Sequence, residues 1–255
     1  MSSAELVPRS PGNLGAAEWI AHRLRRLPAV FAALVVGCVG ALLLAGMMVT
    51  LGLFTTETLL SVSTIAQADA NFPLWLAGHH TPLLGGASSI ASKLADAPIL
   101  VPLVGVFVFA LVLRRRWMRA TFLALAALVE VWGYVLTKGF VQWRTMDTAP
   151  HENFAWSSFP DGHVAAAIAI YGALAFVLTA RFSQRWARAA AWATATAIAL
   201  AVAVSRMYRG EHHLLDVAGG VAMGIGALVV ALLAEQIEHL LAAIRAKPRI
   251  GEVTQ

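Results

Sequence analysis

Ser205, Arg206, His212 and Asp216 stand in the order Ser-Arg-x5-His-x3-Asp in a chain of 255 residues. His212 and Asp216 are four positions apart, so a helix running through both would set them on one face, within contact. A carboxylate bonded to one imidazole nitrogen fixes the tautomer and leaves the other nitrogen free as a nucleophile. Arg206 adds a planar fork suited to phosphate oxygens. Upstream, Pro160-Asp161-Gly162-His163 brings a second histidine, and Lys138 and Arg144 bring two more cations. Cations beside histidines and acids at helix ends point to an anionic headgroup and to proton or phosphoryl transfer.

The elements that must hold these residues are membrane helices. Of the chain, 59% is hydrophobic and only 13% charged, against roughly 25% charged residues in soluble domains. This excludes an ordinary soluble domain, a disordered chain and a disulfide scaffold; Cys38 is the single cysteine. A bilayer core needs about 20 apolar residues per helix. Six stretches are read as spans: Pro28–Phe54, Ala97–Leu113, Trp117–Leu136, His163–Ala180, Ala187–Val204 and Leu214–Ala234. The expected fold is therefore all-α: a six-helix polytopic bundle, with an interfacial helix in the first outer loop, between positions 55 and 96. Residues 1–27 form an N-terminal tail with an interfacial helix around Trp19–Leu27, residues 28–235 the membrane domain, and residues 236–255 a C-terminal tail. The first apolar run, 27 residues, is longer than the ~7–15 of a signal peptide, so no cleavage is expected.

Fourteen of the nineteen basic residues fall on one side of these spans: in the N-terminal tail, the Arg114–Arg119 loop, the Arg181–Arg188 loop and the C-terminal tail. The positive-inside rule then puts both termini in the cytoplasm. The net charge of +5 needs no nucleic-acid partner. Four of the five remaining basic residues, Lys138, Arg144, Arg206 and Arg209, lie beside the histidines and acids on the outer side.

At this point the residues resemble a known family. Ser205-Arg206-x5-His212-x3-Asp216 is similar in every residue and spacing to the third signature of the type 2 phosphatidic acid phosphatase family. Pro160-Asp161-Gly162-His163 resembles the second signature, Pro-Ser-Gly-His, with aspartate in place of serine. Lys138-x5-Arg144-Thr145 resembles the first, Lys-x6-Arg-Pro, but is one residue shorter and lacks the proline. The resemblance covers about residues 55–235. It implies that His212 attacks phosphorus, that Asp216 orients His212, and that His163 protonates the leaving oxygen and then activates water. Arg206, Lys138 and Arg144 would hold the phosphate oxygens, with no metal and no other cofactor; three cations can supply the electrostatic stabilisation that magnesium gives elsewhere. The amides of Gly162 and His163 would face the phosphate from the start of the fourth span. Asp161 either caps that helix, pairs with Lys138 or Arg144, or is protonated near the substrate.

The other polar residues have blander readings. His213 is structural or interfacial. Arg209, Glu211, His151 and Glu152 are solvated loop at the mouth of the site. Glu130 lies inside the third span, about five residues below its expected end, bonded to a neighbouring helix or to Tyr134. Gly219, Gly220, Gly224 and Gly226 mark close helix packing, and Trp117, Trp143, Trp156 and Trp186 an aromatic belt. His79 and His80 lack the spacing of a metal site. The function that follows is hydrolysis of a membrane lipid phosphate at the outer face. Sixteen arginines against three lysines fit a GC-rich bacterial genome, which makes polyprenyl diphosphate the first choice of substrate and phosphatidate-type lipids the second. A phosphotransferase using the same phosphohistidine and a non-catalytic lipid-phosphate binder are the alternatives.

Overall fold

The apolar runs fold as helices, and the computed structural model describes them over residues 15–141 and 158–246. In chain order they are α1 (Ala16–Arg23), α2 (Ala29–Leu53), α3 (Ser63–Ala77), α4 (Pro82–Lys93), α5 (Ala97–Leu113), α6 (Trp117–Phe140), α7 (Gly162–Thr179), α8 (Arg185–Tyr208) and α9 (Leu214–Ala246); a π-helical turn, Phe54–Leu59, continues α2. No strand occurs among the described residues. Five of the helices, α2, α6, α7, α8 and α9, are long and apolar enough to cross a membrane; α4 and α5 together make a sixth span bent by 43°. α5 alone, with 17 residues, is only about 25 Å long. Counted as one span, this bent pair brings the total to the six expected.

Several boundaries differ from the sequence reading. The segment expected to hold one interfacial helix holds two, α3 and α4, and α3 exposes Phe72, Leu74 and Trp75. α1 starts and ends earlier than Trp19–Leu27. α6 runs on to Phe140, so Lys138 lies in its last turn rather than in a loop. Glu130, buried at 3% exposure, is then ten residues from the helix end, about 15 Å rather than the shallow depth expected. α9 continues to Ala246, well past the expected end of its span.

α9 is the central post: it packs against α2, α6 and α7, while α7 pairs with α8, α6 with α5, and α4 with α8. Lipid tails are as apolar as leucine, so helices in a membrane associate through close packing and small residues. Gly220-x3-Gly224 is such a seam. A Cβ on Gly220 would overlap the Asp161 carbonyl, one on Gly219 the Phe159 ring, and one on Gly224 would stand 2.7 Å from the Ala165 carbonyl. The glycine series therefore packs helices, as read from the sequence. It presses the second and third turns of α9 onto the start of α7. Gly224→Val should lower the thermal midpoint in detergent sharply, since overpacking costs about 1–3 kcal/mol. Gly46→Ala, where an added Cβ meets nothing within 4 Å, should leave it unchanged.

The two basic loops meet at one end of the bundle. Arg116 foremost, then partial desolvation and Arg114, hold the Arg181 guanidinium below its ordinary pKa. At that end, too, Arg245 near the end of α9 donates to the Leu27 carbonyl just before α2. Trp117 and Trp186, at the starts of α6 and α8, are both exposed there, as an aromatic belt requires. Trp143 and Trp156 lie outside the described residues.

Candidate active site

α7 starts with its own cap. Asp161, fully buried, accepts hydrogen bonds through Oδ1 from the backbone N–H of His163 (2.9 Å) and Val164 (3.2 Å). Of the sequence alternatives, the capping one is therefore observed. It also corrects an expectation: the His163 amide is engaged by Asp161 and does not stand open to an incoming anion. The Asp161 N–H donates to the Asp216 carbonyl (3.0 Å), tying the start of α7 to the start of α9. The side chain opposite Gly162 is Tyr134, whose ring would lie 2.6 Å from any Cβ at that position. The Lys138 ammonium lies 5.1 Å from the centre of the same ring. Lys138 is thus anchored beside the second motif.

The chain turns back between α8 and α9 at Gly210, where φ is +66°, a conformation that favours glycine. His212 precedes α9 instead of lying on it, so the one-face helical geometry expected for His212 and Asp216 is not what joins them. The loop brings them together anyway. His212 Nδ1 is 3.8 Å from Asp216 Oδ2, and its Nε2 is 3.8 Å from Asp161 Oδ1. Asp216 Oδ2 also accepts from the His213 N–H (2.9 Å), and Asp69 of α3 accepts from the Leu215 N–H (2.8 Å). Two carboxylates therefore satisfy the first amides of α9, where the helix dipole favours negative charge.

Arg206 comes from the last turn of α8. Its Nε is 3.8 Å from Asp161 Oδ2, its Nη1 donates to Ser92 Oγ of α4 (3.2 Å), and Nη1 also pairs with the Glu211 carboxylate. Glu211 binds Arg209 as well (Nε–Oε1 2.5 Å). Glu211 and Arg209 are hence partners of the site and not merely solvated loop. His213 also faces Asp216, with Nδ1 3.4 Å from Oδ2, so both histidines approach the same carboxylate oxygen.

The second histidine has a partner that the sequence reading did not name. His163 Nε2 lies 2.9 Å from Asp96 Oδ1. Asp96 is the N-cap of α5, yet its side chain makes no cap hydrogen bond; it reaches across to α7 instead. Asp96-Ala97-Pro98 reads in sequence as an ordinary helix start, and only the packing of α5 near α7 shows its other use. Each histidine is thus paired with a carboxylate from a helix start. His163, Asp161, Gly162, Arg206, His212, Asp216 and Lys138 gather at one end of the bundle. Arg144, His151 and Glu152 lie outside the described residues. His79 bonds the Trp75 carbonyl (2.8 Å) and His80 stacks on Tyr208, and no group of three metal-donor side chains occurs among the described residues.

The motif residues from Lys138 to Asp216 all fall within positions 136–238, which match the family model of the PAP2 superfamily. Two solved structures share the fold. The first is a crystal structure of the first transmembrane PAP2 type phosphatidylglycerolphosphate phosphatase from Bacillus subtilis. It aligns with TM-score 0.63 and 20% identity over 76% of this chain and 93% of that one. The second, Aquifex aeolicus LpxE, aligns with TM-score 0.52 and 22% identity over 65% of this chain and 94% of that one. No curated protein sequence matches the chain significantly. Asp69, Ser92 and Asp96 precede the matched residues, so α3, α4 and the start of α5 add side chains to this cluster from outside the match.

Proposed function

We propose that the protein is an integral membrane phosphatase that hydrolyses the phosphate or diphosphate of a membrane lipid through a phosphohistidine on His212. The observation that carries this reading is the setting of His212: Nδ1 lies 3.8 Å from Asp216, Nε2 lies 3.8 Å from Asp161, which Arg206 also approaches, and His163 has its own carboxylate in Asp96. With Nδ1–H turned to Asp216, Nε2 keeps its lone pair and attacks phosphorus. The bond from phosphorus to the leaving oxygen breaks, and His163, protonated, gives that oxygen its proton. Water then attacks the phosphohistidine while His163 takes a proton from it; the P–N bond breaks and inorganic phosphate leaves. Arg206 and Lys138, with Arg144, neutralise the phosphate oxygens, so the reaction needs no metal. The placement of the basic loops supports cytoplasmic termini and a site facing the exterior or periplasm. Polyprenyl diphosphate is the first substrate proposed, and a phosphatidate or phosphatidylglycerophosphate type lipid the second. The likeness in fold to the Bacillus subtilis phosphatidylglycerolphosphate phosphatase supports the latter.

The test is phosphate release by purified protein in lipid-containing micelles with EDTA present, across these lipids. Turnover in EDTA supports the reading. Turnover restored only by added metal, or binding without turnover, contradicts it.

Asp96 positions His163 through the 2.9 Å contact. Asp96→Asn should lower kcat by about 10–100-fold with KM little changed, because proton transfer is what it serves. The loss should shrink for substrates whose leaving group needs no proton. Asp161 occupies the family's serine position and sets a carboxylate 3.8 Å from both Arg206 and His212. It competes there with an incoming anion. Asp161→Ser keeps a capping side chain and removes one negative charge, so inorganic phosphate should inhibit the variant about tenfold more tightly; product-inhibition assays measure this.

A further inference from the structure

At the end of the bundle opposite the catalytic histidines lies a groove of about 930 Å³. Its polar wall carries Arg115, Arg116 and Arg119 from the start of α6 and the turn before it, and Glu235 and His239 from α9; Trp117, Phe176 and Leu232 supply apolar wall. Asp216 and Glu235 are nineteen residues apart on α9, which is about 28 Å along the helix. The groove is therefore separate from the site described above and lies at the other membrane surface.

Its charge is unbalanced. Three arginines line it and Arg181 is close enough to feel Arg116. The single carboxylate in the lining is Glu235, itself 4.0 Å from His239. Arg119 Nη1 is buried with no hydrogen-bond partner among the described residues, and an unpaired buried donor is costly. Arg115 is held at φ +55°, a left-handed conformation that glycine would adopt with less strain. Topology alone asks only for positive charge near this membrane surface. It does not ask for a groove, nor for a buried guanidinium nitrogen without a partner.

We infer that this groove binds an anionic phospholipid of the leaflet at that surface, its phosphodiester headgroup on Arg116 and Arg119 and an acyl chain along Phe176 and Leu232. Basic pockets between membrane helices at such a surface suit anionic headgroups. The apolar wall selects a lipid over a free anion.

Trp117 lines the groove and reports on it. The full-length protein is placed in micelles doped with phosphatidylglycerol or phosphatidylcholine carrying brominated acyl chains, which quench nearby tryptophan. Quenching lost in Trp117→Phe isolates this position. Phosphatidylglycerol should reach half-quenching at roughly tenfold lower mole fraction than phosphatidylcholine, as two arginines near a surface allow. Arg116→Gln/Arg119→Gln should abolish that preference, and Glu235→Gln, which removes the opposing carboxylate, should enlarge it. Equal quenching by the two lipids overturns the inference, as does a preference that survives the double arginine variant. Loss of the preference on adding millimolar inorganic phosphate would show a site for the free anion and overturn the lipid assignment. None of these readouts depends on turnover at His212.

Discussion

His212→Ala is expected to abolish lipid phosphate hydrolysis, with kcat falling by at least about 10⁴-fold, the scale seen when a covalent nucleophile is removed. The protein should stay folded. His212 precedes α9, and the amides that begin that helix are satisfied by Asp216 and Asp69, not by the histidine. Thermal midpoint and detergent elution should match the wild type. Binding of inorganic phosphate should also survive, because Arg206 and Lys138 remain. A variant that retains a tenth of wild-type turnover would show that Nε2 is not the nucleophile.

The second large effect is at His163. His163→Ala should cost about 10²–10⁴-fold, the range of general acid–base catalysis, and the loss should depend on the leaving group. An alkoxide needs a proton to depart, whereas a nitrophenolate or a lipid monophosphate leaving from a diphosphate needs it much less. With a nitrophenyl phosphate the first step should recover while the second stays slow, since water still lacks its base. The variant should then release one equivalent of nitrophenol quickly and stall as phosphoenzyme. A loss of equal size for all leaving groups would make His163 a phosphate ligand instead of a proton carrier. Asp96→Asn should show the same leaving-group pattern at smaller amplitude, which ties it to His163 and separates it from a merely structural cap.

Much of this arrangement was legible in the residues. Six apolar runs were visible because a bilayer demands length and hydrophobicity from each span independently. The breaks were less visible, since α4 ends and α5 begins within four residues and only their 43° angle separates them. His163, Arg206, His212 and Asp216, which the structure brings to one end of the bundle, were singled out by motif and spacing. The route by which His212 meets Asp216 was not, because the i, i+4 rule presumes a continuous helix where Gly210 turns the chain. Asp161 could be read as a cap from its type and place, but its approach to both Arg206 and His212 depends on the Gly220 seam. Asp96, Asp69 and Ser92 carried no signal beyond ordinary helix starts and small polar residues. Their use comes from which helices pack together, and that is set by contacts far apart in sequence.

The most direct test of a histidine nucleophile is to trap the covalent intermediate. Polyprenyl diphosphate carrying ³²P in its terminal phosphate, whose lipid monophosphate leaving group needs no proton from His163, is mixed with an excess of His163→Ala protein and with wild type, and the reactions are quenched within one turnover in alkali, where phosphohistidine survives. Label should appear on the peptide containing His212, accumulating in the His163 variant, transient in the wild type and absent from His212→Ala. Phosphate released in the first turnover with no protein-bound label, or label on any other residue, would contradict a phosphohistidine at His212.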